Sequence, residues 1–224
     1  WVRADTVSSI LLDRNVNNFS ANLFKFFSGF VANNNVDNYI NKVSAEYLDI
    51  NFLKVMRIWK NFDREFTRVD QPENCVPIVC LHLAVSLMLR GEVLEAQDYY
   101  RKIEKEKFAS YRIKEILLLN SIEYEKKEAG EYVRQLNEHD LNIKKFDINY
   151  LKKNKYLLNP VENKNHGMAE VLYNISSWFY SKDLFKYSAF FGKLSLRLRP
   201  DFNAMKLLLS GAFDKLGYSN LGMK

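Results

Sequence analysis

Proline and glycine are scarce in this chain, four and eight among 224 residues. Strands joined by tight turns need more of both, so the shortage argues against a β-sandwich or barrel and for an all-α architecture. Cysteine is nearly absent too. Cys75 and Cys80 stand five apart at a helix start and match neither a zinc nor a redox spacing, and Cys80, on the apolar face, reads as a small core residue. No run of eighteen apolar residues occurs, so no membrane-spanning helix is expected. The three histidines, His82, His139 and His166, fall in separate segments, and no HExxH, phosphate-binding glycine loop or nucleophile elbow is present. The chain is therefore expected to carry no metal, no cofactor and no catalytic site of its own.

Apolar residues make up 47% of the chain, with 16 Phe and 13 Tyr, enough to exclude general disorder. The net charge is +6, with lysines interleaved with glutamates in the manner of solvated helix faces. The densest basic run is Lys144, Lys145, Lys152, Lys153 and Lys155. It supports an alternative reading as an RNA or polyanion binder, although nucleic acid is the less expected partner.

The stretch around which the rest is organised is Gly91 to Ile103, GEVLEAQDYYRKI. Gly91 follows an apolar helical run from Cys80 to Arg90 and supplies the left-handed conformation that closes a helix. Ala96, Tyr100 and Ile103 then share one face of the next helix, with Ala96 as the small residue where two antiparallel helices cross. Counted as the fifteenth position of a 34-residue helix–turn–helix repeat, Gly91 places Ala84, Leu87, Ala96 and Tyr100 at the pattern's core positions. A second copy spans Ala169 to Pro200, with Ser188 and Ser195 at the small positions and Pro200 as terminator. Gly217 lies 34 residues beyond Asp183 and marks a third partial copy.

Elsewhere, Phe19–Val31 and Val36–Leu48 read as a hairpin, Phe52–Phe66 as a further helix, and Asp70–Pro77 as a loop. The helix starting at Ala109 is expected to turn at Gly130, which makes that unit longer than one period. The expected organisation is one α-solenoid over 1–224: degenerate hairpins over 1–70, repeats over 77–158 with the second degenerate, a linker over 159–166, and C-terminal repeats over 167–224. The chain opens on Trp1 without an initiator Met and reads as an excised segment.

These residues and spacings resemble tetratricopeptide-repeat proteins. HGMAEVLYNISSWFY and LRLRPDFNAMKLLLSGAFDKLG are also similar to the C-terminal repeats of a large group of bacterial tetratricopeptide proteins. The resemblance implies a right-handed superhelix of antiparallel helix pairs, whose concave groove binds a peptide or partner protein, and a bacterial cytoplasmic or periplasmic location. Chaperone-tail receptors of this family carry Lys and Asn at two first-helix positions, where this chain has Leu81 and Val85, Glu115 and Leu119, Tyr173 and Ser177, and Leu207 and Gly211. That subfamily is not matched. In the repeat register the groove is lined by Leu81, His82, Val85, Met88, Arg112, Glu115, Tyr173, Asn174, Ser177 and Lys215. The expected function is a non-enzymatic interaction scaffold, with the docking arm of a larger enzyme as a further alternative. The last helix, with Leu208, Leu209 and Phe213, is expected to be capped by Tyr218 and Leu221 or to self-associate.

Overall fold

The structure is a computed structural model and describes residues 2–43, 48–64, 75–104, 110–139 and 147–218. Every regular element among the described residues is helical. The chain divides into two compact units, Trp1–Val79 and Cys80–Lys224.

In the first unit, α1 (Val2–Arg14) packs on α2 (Phe19–Val31), and α2 packs on α3 (Asp37–Ile40); α4 (Ile50–Lys60) follows. Asn18 starts α2 by accepting the Ala21 N–H at 2.9 Å. The helix buries Leu23, Phe26, Phe27 and Phe30, with the Phe26 and Phe27 rings edge to face at 5.2 Å. Gly29 admits the next segment: a Cβ there would lie 2.4 Å from Val36 Cγ1. The single helix expected over Val36–Leu48 is shorter. Its described part stops at Ile40 and turns through Asn41, a poor helix former. Lys60 pairs with Asp37 across the unit.

The second unit takes most of α5 (Pro77–Leu89), then α6 (Val93–Glu104), α7 (Tyr111–Glu123), α8 (Ala129–His139) and α9 (Ile148–Lys153). After a 3-10 turn over Lys155–Leu158 come α10 (Lys164–Ser181), α11 (Phe185–Leu198) and α12 (Asn203–Lys215). α5 is apolar on every side, as a central helix must be, and buries Leu83, Ala84 and Leu87 completely. Cys80 lies in the core as expected, 1% exposed, but both cysteines are disulfide-bonded, which corrects the reading that their spacing has no redox role.

Four helices of this unit end the same way. A residue with positive φ follows the last turn at Gly91 (81°), Glu125 (50°), Asp183 (57°) and Gly217 (76°). At each, the following amide reaches back to a carbonyl in the last turn: Glu92 to Leu87 at 3.0 Å, Lys126 to Ser121 at 2.8 Å, Leu184 to Phe179 at 3.0 Å and Tyr218 to Phe213 at 2.8 Å. Gly91 and Glu125 are 34 residues apart, as are Asp183 and Gly217. The turn expected at Gly130 is therefore at Glu125, and Gly130 lies inside α8. The additional length belongs to the next interval, Glu125 to Asp183, which holds α8, α9 and the 3-10 turn.

The small residues at the crossings are buried: Ala96, Ser188 and Ser195 are all 0% exposed. The serines also satisfy carbonyls across the α10–α11 contact, since Ser176 Oγ donates to the Ser188 carbonyl and Ser195 Oγ to the Ala169 carbonyl, both at 2.8 Å. Gly192 allows α12 to approach α11; a Cβ there would meet Met205 Cε at 2.7 Å. On α12, Leu209 and Phe213 are buried in the α10–α11–α12 core and Leu208 is partly buried against it, so the side expected to be sticky is covered within the unit, while Leu207 beside it is 70% exposed. Tyr218 is exposed, and Leu221 lies outside the described residues, as do Lys144 and Lys145 of the basic run.

The 159–166 segment is not a linker between units. Asn159 is buried with a left-handed backbone, its Nδ2 donates to the Asp201 carbonyl at 3.4 Å, and its Oδ1 accepts the Asn203 N–H at 3.0 Å. Asn163 caps α10 by accepting the His166 N–H at 3.0 Å.

Candidate functional site: a cavity and an ion cluster in the second unit

The residues expected to line one groove are dispersed through the second unit. Val85 and Met88 line a cavity of about 270 Å³, together with Leu89 of α5, Tyr100 of α6, Ile116 and Leu119 of α7, and Pro160 and Val161. Val85, Tyr100 and Ile116 form its buried wall, and Met88, Leu89 and Leu119 are half-buried. Asn120, Glu123, Tyr124 and Lys155 supply the polar lining. Asn120 is held by Gln97, whose Nε2 donates to its Oδ1 at 2.8 Å. The Tyr124 hydroxyl donates to Met88 Sδ at 3.1 Å, and Lys155 pairs with Glu123. Both partners of that pair are about half exposed, so water screens it and little holds it closed. Pro160 and Val161 come from the segment expected to be a linker, and no repeat pattern marks them.

Arg112 and Glu115 face inward instead, 2% and 9% exposed. Arg112 Nε donates to the Glu170 carboxylate at 3.1 Å. Its Nη1 donates to Glu115 Oε2 at 2.8 Å and to the Leu158 carbonyl at 2.7 Å. Its Nη2 donates to the Asn159 carbonyl at 2.7 Å and to Glu170 Oε1. All five N–H groups of the guanidinium are thus engaged. Burial opposes the charge on Arg112, but Glu170 and Glu115 outweigh it and raise its pKa. The Glu115 carboxyl is raised by burial, with Arg112 pulling the other way. Arg199 joins from beyond α11, with Nη1 3.4 Å from Glu170 Oε1 and Nη2 donating to the Pro160 carbonyl at 3.0 Å. Burial lowers its pKa. Both guanidinium groups lie over the buried Phe202 ring, at 5.2 and 4.9 Å, and Tyr173 packs beside that ring at 5.4 Å.

Leu81 and His82 are buried, 2% and 1% exposed. Asn174 Nδ2 lies 3.2 Å from His82 Nε2, and burial depresses the imidazole to about 3, so His82 is neutral and accepts that hydrogen bond. Tyr173, Asn174 and Ser177 are half-buried along α10, and Lys215 is exposed at the end of α12. Burial raises the Tyr173 phenol to about 12.

Arg112 is saturated and the cluster is buried, with Arg199 Nε 3.5 Å from Asp201 Oδ1 and without a hydrogen bond, while the cavity is apolar and open at one edge. Only the second has room for a ligand. Among the described residues, no three His, Cys, Asp or Glu side chains converge as a metal site, and no helix is long and apolar enough to cross a membrane. No sequence pattern marks the role of Arg199 or of the backbone at 158–160, because the paired groups lie 29 to 47 residues apart and three of the acceptors are main-chain carbonyls. No protein-family model, no curated protein sequence and no solved structure matches the chain.

Proposed function

We propose that the second unit is a non-enzymatic protein-interaction module of the tetratricopeptide type, and that its cavity receives an apolar side chain of a bound peptide or partner protein. The cavity is the observation that carries this reading. An apolar wall drawn from three helices, with a few polar groups at its edge, suits a buried anchor residue whose backbone is steered from the rim. Burying one Leu- or Phe-sized anchor there contributes roughly 1.5–3 kcal/mol. Recurrence of the same helix closure at 34 residues, with Ala96 and Ser188 buried at the crossings, supports the repeat assignment.

Selection of displayed random peptides on the 224-residue chain tests the proposal. Enriched peptides should share an apolar residue at one position and lose at least about tenfold in affinity for Leu119→Trp, which fills the cavity from its half-buried wall. Binders indifferent to Leu119→Trp, or no enrichment at all, would overturn it.

A further inference from the structure

The outward face of α11 has no use in that reading. Between Leu184 and Pro200 the chain contains no Asp or Glu. Lys186, Lys193 and Arg197 are exposed, and their spacings of seven and four put them in line on one side of the helix. No carboxylate of the described residues pairs with any of the three; Lys193 lies 5.3 Å from the centre of the Phe213 ring. Two aromatic rings share this side: Phe190, 36% exposed, lies between the cations in register, and Tyr187, 57% exposed, flanks them. Tyr187 is stacked on Phe179 at 5.3 Å with 24° between the planes, so one of its faces is supported and the other is open.

We infer that this face of α11 binds single-stranded nucleic acid, phosphates on Lys186, Lys193 and Arg197 and bases on the Tyr187 and Phe190 rings. Cations on a rigid line give the electrostatic track, and ring faces set among them give a sequence-tolerant stacking surface. An α-helix rises 1.5 Å per residue, so Lys186 and Lys193 stand about 10 Å apart and Lys193 and Arg197 about 6 Å. An extended strand covers such separations within a nucleotide or two. An anionic lipid surface fits less well, because Ala189 and Phe191 point into the core and only two rings remain to enter a bilayer.

The test is a titration of a short fluorescent oligouridylate with the full chain at several salt concentrations. Three phosphate contacts predict a slope of about −2 in log affinity against log salt. Lys186→Gln should reduce that slope by about 0.7. Lys186→Glu combined with Lys193→Glu should cost at least about tenfold with the helical circular dichroism unchanged. Phe190→Leu keeps apolar volume and removes the ring; it should weaken oligouridylate binding and leave inorganic polyphosphate binding unchanged. No binding at low salt, affinity unmoved by the charge reversals, or equal binding of polyphosphate and oligouridylate would each overturn the inference. So would stronger binding to phosphatidylserine vesicles or to polyglutamate than to the oligonucleotide.

Discussion

The cavity and the ion cluster share α7 and are built in opposite ways. The start of that helix sends Arg112 and Glu115 into a closed set of charges where each Arg112 guanidinium proton has an acceptor. Its last two turns send Ile116, Leu119 and Glu123 to a half-open apolar space whose ion pair is solvated. Rigidity and open space are thereby separated along one helix: the buried end fixes where α7 stands, and the other end borders the cavity. A residue's place in the repeat register does not decide which it serves, since the same register assigned both ends to one groove.

The contrast can be broken at its strong end first. Arg112→Leu strands the Glu115 carboxylate and the carbonyls of Leu158 and Asn159, leaves Glu170 with Arg199 alone, and should cost about 3–5 kcal/mol in urea unfolding. A loss below about 1 kcal/mol would mean the cluster does not anchor α7. His82 gives the next largest effect. Its folded pKa of about 3 lies below its ordinary value of 6.5, so the unfolded chain binds the extra proton between those values. Its contribution is constant above pH 6.5 and is lost as pH falls, by about 2 kcal/mol at pH 5. Unfolding of His82→Gln should lack that part of the acid slope, and identical pH profiles would refute it. In the cavity, Leu119→Ala should cost only about 1 kcal/mol, below the range for fully buried leucines, because the side chain is already half in the open. The smallest effect belongs to Lys155→Gln: a change under about 1 kcal/mol that fades with added salt. A larger, salt-insensitive loss would show that the edge of the cavity is a structural strut.

Most helices were legible because their apolar spacing is regular and their turns carry Gly91 or Gly217. Ala96, Ser188 and Ser195 were legible for a related reason, since close helix crossings admit only small side chains. Glu125 was not. A glutamate in the left-handed region carries a steric cost and gives no sequence signal, so the nearby Gly130 drew the turn assignment, although it sits in α8 with no neighbour within 4 Å of an added Cβ. The stretch at 159–166 looked like a linker because it is polar and follows a degenerate pattern; its amides and carbonyls are in fact spent on Arg112, Arg199 and the start of α12. Arg112 itself looked like a groove residue because α7 is not strongly two-faced, and burying a charge leaves no mark when its counter-charges are 3 and 58 residues distant.

Two arginines grip the carbonyls of three consecutive residues, Leu158, Asn159 and Pro160. A grip on main-chain oxygens is blind to what side chains the segment displays. Pro160 and Val161, which face the cavity, can thus be exchanged with the strap still fastened, and the shape of the recess can be retuned for a new occupant at little risk to the scaffold that holds it.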